Sequence, residues 1–238
     1  IKALNAFGWT KERAKHLQDM VRGGKEPVYG MGNDTPLAIF SENHSRLYSF
    51  LHQIVAVVTN PPIDPIREGG AIDTTVYLGR SPHISRLSEY KSYAQYELGH
   101  PILTNEALAA LFASDEEDLR AVRFDATFVD GGKSRDMVRR IHELTAEALE
   151  TIRTRRASIL VLSDIEATKG ERLPLPMLLL SSSVHQALAD AGLRRDASIV
   201  VETAGAHEAH DCCILLAYGA TAVNPYAMYH LAGEMSGE

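Results

Sequence analysis

Cysteine is almost missing from this 238-residue chain: there are two, the neighbours Cys212 and Cys213. Neighbouring cysteines rarely bridge each other, so the disulfide framework of a small secreted domain is excluded. A reducing, cytoplasmic compartment is the expectation. The pair also lacks the C-x-x-C spacing of redox and metal motifs, and both side chains are expected to pack inside a helix. No apolar run approaches the ~18 residues of a membrane span. No basic run is present either. The 24 basic and 31 acidic side chains leave a net charge of −7, which argues against a nucleic-acid partner. There is no signal peptide. The chain opens at Ile1 with no initiator Met, which reads either as trimming or, more sharply, as a domain cut from a longer polypeptide. What remains is ordinary globular composition, 45% hydrophobic and 23% charged, enough for one substantial α/β domain or two small ones.

The prolines are not spread evenly. Thr59-Asn-Pro-Pro-Ile-Asp-Pro-Ile-Arg-Glu68 holds three of them, each fixing φ near −65° and each pushing its predecessor out of the α region. The segment therefore reads as a stiff connector suited to lining a passage or bracing a neighbour. Asp64 before Pro65 reads as an N-cap followed by proline at the first helical position, with Arg67 and Glu68 in the first turn. Gly69-Gly70 makes the continuation beyond Glu68 loose.

Elsewhere in the first half the signals are helical. Ala14, Leu17, Met20 and Val21 recur at helical spacing after a Thr10 N-cap and stop at Gly23-Gly24. Trp9, the only tryptophan, reads as a packing residue rather than a ligand-stacking one. Leu37–Phe40 is an apolar run of strand length. Arg46–Val58 carries Leu47, Phe50, Leu51, Ile54, Val55 and Val58 at i, i+3, i+4 spacing, the pattern of a core helix. Tyr90, Tyr93 and Tyr96 mark either a packed helix face or a half-wet interface. Thr104 caps a short helix with Leu108 and Leu111 inward, and Ser114–Asp118 is an acidic loop.

From Ala121 the pattern becomes regular. Strands are expected at Val122–Phe128, Ser158–Leu162, Ser198–Val201 and Ala222–Val223, and helices at Ser134–Arg155, Leu175–Ala191 and His207–Ala217. Nearly all-apolar strands alternating with helices mark a parallel sheet covered on both faces. The units are too few for a closed eight-fold barrel. The expected fold is α/β: one domain over 1–238, with an incomplete (β/α) barrel-like parallel sheet in 116–238 and an α-rich, loop-rich portion in 1–115.

In such folds the working face lies just past the carboxyl ends of the strands. Here it would hold Asp125, Thr127, Ser163, Asp164, Glu202, Thr203, Asn224 and Tyr226. No serine–histidine pair, lysine or phosphate loop is identifiable among them. Helix capping and loop bracing is the plain reading; a network of Asp164 and Glu202 with Arg67 is the sharper one. His207-Glu-Ala-His210 has i, i+3 spacing, not the i, i+4 of the zinc helix motif, and reads as surface helix.

Several stretches, in this order and spacing, resemble the central domain of the glutamate synthase large subunit. They are Lys25-Glu-Pro, Met31-Gly-Asn-Asp-Thr-Pro-Leu-Ala-Ile-Phe-Ser41, Thr59–Glu68, Pro101-Ile-Leu-Thr-Asn105, Ala157–Asp164, Val201-Glu202 and Leu216–Tyr226. The resemblance implies a parent enzyme that converts glutamine, 2-oxoglutarate and reductant into two glutamates, passing ammonia between sites. It implies FMN and an iron–sulfur cluster in that parent but no cofactor, metal or catalytic residue in this chain. Leu216–Tyr226 also resembles the late strand of FMN-binding barrels, yet Asn224-Pro225-Tyr226 stands where glycines receive the phosphate, and the anion site is dismantled. The implied partners are the flanking glutaminase and FMN domains of the same polypeptide and a small reductase subunit. By resemblance Met31, Thr59 and Asn60 line an ammonia tunnel, and Asn33, Asp64 and Arg67 support it. Two other readings stand beside this scaffold: a free-standing barrel-like enzyme using carboxylates at its strand ends, and an interaction module.

Overall fold

The computed structural model describes residues 2–24, 40, 45–52, 65–81, 94–129 and 134–236. Among them are eight strands and seven α-helices. A four-stranded parallel sheet forms the centre, ordered β3 (Ala121–Asp125), β5 (Ile159–Ser163), β7 (Ser198–Glu202), β8 (Ala222–Asn224). Every residue of β5, β7 and β8 is buried, as their Ile, Val, Leu and Ala content dictates. Residues 101–103 extend the sheet beside β8: Leu103 N–H donates to Val223 O and Val223 N–H to Pro101 O, both at 2.8 Å. The described strands do not close into a barrel.

Side-chain alternation separates two cores. Leu160, Leu162, Ile199 and Val201 face α4 (Ser134–Arg153), α5 (Met177–Asp190) and α6 (Ala209–Ala217), meeting Leu144, Leu180, Val184 and Leu215. Ile159, Val161, Val200 and Ala222 face the other way, onto Leu108 and Leu111 of α3 (Asn105–Phe112) and Leu78 and Leu98. The last two belong to an antiparallel pair, β1 (Val76–Leu78) and β2 (Tyr96–Leu98). That pair is pinned to the amino end of the sheet, where Ser198 Oγ accepts from Gly79 N–H at 3.0 Å. Each such aliphatic side chain contributes roughly 1.5–3 kcal/mol by leaving water. A short antiparallel pair, β4 (Thr127–Phe128) with β6 (Leu173–Pro174), borders the sheet at the β3 edge. No described helix is long and apolar enough to cross a membrane.

Local signals set several boundaries. The Thr10 hydroxyl accepts from Arg13 N–H at the start of α1 (Lys11–Gly23), and Gly24 ends it at φ 57°. The Thr104 hydroxyl caps α3 in the same way. The turn after α6 uses Gly219 at φ +106°, where an added Cβ would lie 2.4 Å from His185 Cγ. Gly219→Ala is therefore expected to cost about 2–4 kcal/mol, from both strain and collision. Gly192→Ala, at φ +69° with nothing within 4 Å of the new Cβ, carries backbone strain alone and is expected to cost about 1–2 kcal/mol. Denaturant midpoints of the two variants, compared at equal m, separate the terms.

Some expectations from sequence are corrected. Residues 47–50 form a single 3-10 turn rather than the start of a core helix, and Leu51 is extended. Leu47 and Phe50 are exposed, whereas Tyr48, absent from the helical stripe, is buried. Burying Tyr48 against α6 determines the turn, so tertiary contact overrides local periodicity. The glycines of Glu68-Gly69-Gly70 lie within helix α2 (Pro65–Ala71), which starts at the proline as its pattern indicates. Tyr96 lies in strand β2, not on a helix face. Cys212 is buried, with its thiol pushed up to about 12 mainly by burial. Cys213 is exposed, because neighbours on a helix point about 100° apart. A final helix, α7 (Tyr226–Ser236), was not legible from sequence pattern. Of the strand expected at Leu37–Phe40, only Phe40 is described, and it is exposed; Tyr90 and Tyr93 lie outside the described residues.

Candidate functional site

Each parallel strand ends on a polar residue, and the four are register partners: Asp125, Ser163, Glu202 and Asn224. They form a polar row across the carboxyl end of the sheet, continuing the α3-facing side of the strands. Glu202 is buried, and its carboxylate meets Arg123 from β3, with Nη2 donating to Oε1 at 3.2 Å and Nε 3.0 Å from Oε2. The guanidinium lies 4.5 Å over the Phe112 ring of α3. Charge and ring together compensate a carboxylate that would otherwise be costly to bury. Next to it, Asn224 Nδ2 donates to Leu103 O at 2.9 Å and to Asn105 Oδ1 at 3.1 Å, while its Oδ1 is buried without a donor.

Asp164 follows β5 and is buried in a cradle of donors. Oδ1 accepts from Ala204 N–H at 3.0 Å and Tyr226 O–H at 2.8 Å, and Oδ2 from the Thr203 hydroxyl. Burial still dominates and raises its pKa to about 7, with the Glu202 charge adding to the rise and the three donors opposing it. The Tyr226 hydroxyl is pushed far up, by burial first and then by Asp164.

The loops after β5, β7 and β8 are covered by the beginning of the chain. Leu4, Phe7, Trp9 and Leu17 pack with Ala167, Ala204, Ala227 and Leu231. Trp9 Nε1–H donates to Ala204 O at 2.7 Å, and the indole rests 4.3 Å from the His207 ring at 46°. Arg13 donates to Gly8 O at 2.7 Å and lies 3.3 Å from His207 Nδ1. Burial, then the Arg46 and Arg13 charges, push His207 down to about 2, so the ring is neutral.

A second group of buried polar contacts joins residues 45–52 to the β7–α6 loop. Arg46 Nη1 lies 2.8 Å from Asp211 Oδ2, and Nη2 donates to Gly205 O. The guanidinium stands 4.8 Å over the Tyr48 ring. His210 Nε2 lies 3.0 Å from Tyr48 O, and His207 N–H donates to Asp211 Oδ2 at 2.7 Å. His207 and His210 are thus buried rather than on a helix surface, and only His210 is helical. Among the described residues, no group of three or more His, Cys, Asp or Glu is placed to hold a metal ion.

A cleft of about 380 Å³ lies at the β3 edge, lined by Asp125, Asp136, Arg139, Arg140, Glu143 and Arg172 among others. Its charges answer one another. Arg172 lies 3.5 Å from Asp125, Arg139 3.3 Å from Asp136, and Arg140 3.6 Å from Glu143. Arg140 also donates to Asp125 O at 3.0 Å.

Met31, Asn33, Thr59, Asn60 and Asp64 lie outside the described residues. Arg67 is exposed on α2. The carboxylates expected to join it take other partners, Arg123 for Glu202 and the Thr203–Ala204–Tyr226 cradle for Asp164. Sequence reading missed Arg123, Arg46 and Asp211. Arg123 had a signal, the alternation of Val122–Phe128 that puts it with Asp125 on the polar side of strand β3. Arg46 and Asp211 had none, being 165 positions apart. The end of β8 does not suit a flavin phosphate. Pro225 has no N–H to offer, the Tyr226 hydroxyl is committed to a carboxyl group, and Ala227 lies in the apolar cover.

These features define a class: a βα-sheet domain whose customary ligand face is covered by its own amino-terminal segment. The chain belongs to the glutamate synthase central domain family, whose model matches residues 2–238. It is 38% identical over 226 residues to the glutamate synthase (NADPH) large chain of Bacillus subtilis, covering 94% of this chain and 14% of that one. It is 36% identical over 229 residues to the chloroplastic ferredoxin-dependent glutamate synthase of Spinacia oleracea, covering 95% and 14%. To glutamate synthase (NADH) of Schizosaccharomyces pombe it is 35% identical over 228 residues, covering 94% and 11%. The chain thus spans about one-seventh or less of the length of these relatives.

Proposed function

We propose that residues 1–238 form one scaffold unit of a cytoplasmic glutamate synthase. The unit joins the glutaminase and FMN domains of the same polypeptide and lines part of the ammonia path between them. In this reading the whole enzyme makes two glutamates from glutamine, 2-oxoglutarate and reductant. FMN, the iron–sulfur cluster and any reductase subunit contact other parts of it. The four-stranded sheet is an incomplete barrel whose gap is spanned by α3. Met31, Thr59 and Asn60 line the path, and Asn33, Asp64 and Arg67 brace it.

One observation carries the scaffold reading: the loops after β5, β7 and β8 are covered by the apolar Leu4–Leu17 segment. A βα domain that bound substrate there would leave those loops open. The chain's own residues act by packing and orienting. Neutral ammonia needs a narrow, dry path with neutral polar partners, because a lone exposed carboxylate would trap ammonium. Thr59, Asn60 and the neighbouring prolines have that chemistry.

The test is Thr59→Trp in the intact enzyme. Glutamine hydrolysis continues and released ammonia rises, so glutamate formed by reductive amination per glutamine hydrolysed is expected to fall by at least fivefold. Rates that stay locked together would overturn the lining role. A free-standing enzyme is the second reading, favoured by the unpartnered Asn224 Oδ1 beside Glu202. Turnover by the 238-residue chain alone would establish it.

A further inference from the structure

We propose that helix α2 is a docking knob for a neighbouring domain of the same polypeptide. The inference rests on the joining role proposed above, not on the ammonia path, and names a surface that does the joining.

From Ile66 to Thr74 every residue is exposed, Ile66 at 91% and Ile72 at 54%. None of them belongs to an apolar cluster among the described residues. A surface helix ordinarily turns its apolar stripe to its own core; here the isoleucines are on the outside. A seven-residue helix is marginal in water without packing, and Gly69 and Gly70 weaken it further. Ile66, Gly69 and Gly70 stand at i, i+3 and i+4, so they share one face. A Cβ added at either glycine would meet nothing within 4 Å. The face is thus an isoleucine beside a floor without side chains, where another backbone can approach closely.

The helix is exposed but held in place at its carboxyl end. Asp73 Oδ1 accepts from Thr75 N–H at 2.8 Å, and Thr74 Oγ1 donates to Gly99 O at 2.9 Å. These bonds tie the end of α2 to the β1–β2 pair. That pair is fixed to the sheet domain by Gly79 N–H on Ser198 Oγ at 3.0 Å and by Ser81 N–H on Arg195 O at 2.8 Å. An apolar helix on such a mount presents the same face in the same place, which a docking surface requires.

Size decides the occupant. Stable complexes of separate proteins use about 20–30 residues from each side. The stretch Ile66–Thr74 is too short to hold a second copy or a free partner by itself. A tethered domain needs less, because it meets the helix at an effective concentration set by its linker. The matching relatives carry this region as about one-seventh or less of one long chain, so a tethered neighbour is the occupant that fits.

The experiment uses the intact glutamate synthase with Ile66 replaced by the photo-cross-linker p-benzoylphenylalanine, and Ile72 replaced likewise as the second variant. Both side chains lie outside the apolar cores, so the fold is kept. After irradiation, linked peptides are mapped by mass spectrometry and chain mass is read on a denaturing gel. The expected result is a link from Ile66 or Ile72 to the same chain outside this 238-residue region, with no doubling of mass. In the unmodified enzyme, the amides of Gly69–Ile72 are expected to exchange at least tenfold more slowly than in a free peptide. A doubled mass, links only within the region, or no link overturns the proposal, and so does exchange at the free-peptide rate. A lysine-reactive linker on the same enzyme reads the joining role separately. If it connects the region to flanking domains while Ile66 and Ile72 do not, the joining role stands and this inference falls. If neither reagent connects them, both fall.

Discussion

Trp9→Ala is expected to destabilise the protein by about 3–5 kcal/mol, the range for emptying a buried aromatic site. The indole is 2% exposed and sits at the centre of the apolar cover. Its loss also strips Ala204 O of a 2.7 Å hydrogen bond at the end of β7. A buried acceptor left without its donor adds roughly 1–3 kcal/mol to such a cost. Domains of this size are stable by only about 5–15 kcal/mol, so the variant is left with a small margin. Trp9→Phe keeps most of the ring but not the N–H, and is expected to cost about 1–2 kcal/mol. Urea unfolding followed by circular dichroism checks both. Hydrogen exchange gives the local picture, with amides 2–24 losing protection in Trp9→Ala while those of β5 and β7 keep theirs. Equal loss everywhere would mean the amino-terminal segment belongs to the global core and is not a separable cover.

Asp164→Asn is expected to change how stability depends on pH. The carboxyl titrates near 7 in the fold against an ordinary value of 3.8. Between those values the folded state holds a proton that the unfolded state has released. Stability from this group is therefore complete below pH 4 and is lost as pH rises to about 7, at up to about 1.4 kcal/mol per pH unit. His207 acts with the opposite sign. It is neutral in the fold down to about 2 and protonated in the unfolded chain below about 6.5, so its contribution is lost as pH falls. Over pH 4 to 6.5 the two slopes oppose each other, and the parent curve is correspondingly flat in their share. The asparagine variant removes one slope. Its stability relative to the parent is expected to climb from pH 4 to 7, by on the order of 3 kcal/mol in total, and to level off above. The amide can keep Ala204 N–H and Tyr226 O–H on its oxygen and offer its own N–H to Thr203 Oγ1, so the cradle survives. A difference curve flat from pH 4 to 7 would show Asp164 ionised throughout, its three donors outweighing burial.

How far these sites were legible depended on the reach of the interactions involved. The α1 and α3 boundaries follow from Thr10 and Thr104, whose hydroxyls bond backbone three residues on. The buried strands follow from uninterrupted Ile, Val and Leu. The polar ends of those strands were also legible, because a parallel sheet puts strand ends in register. The 3-10 turn at Leu47–Phe50 was not: the apolar spacing around it is helical, and only Tyr48 and Arg46 docking on α6 decides otherwise. Gly69 and Gly70 broke the expected helix on paper, yet seven residues begun by Pro65 remain helical.

By itself the sequence determined the class of the protein: which segments are strands and helices of a parallel α/β core, and its family, through long ordered motifs. Periodicity and capping act over three or four residues, so they are written along the chain. The tertiary structure alone decided that Trp9 covers the strand ends, that Arg123 neutralises Glu202, and that Arg46 meets Asp211. Those pairings join residues tens to nearly two hundred positions apart. No local rule encodes them; they exist because a buried charge or hydrogen-bonding group must find a partner somewhere in the folded chain.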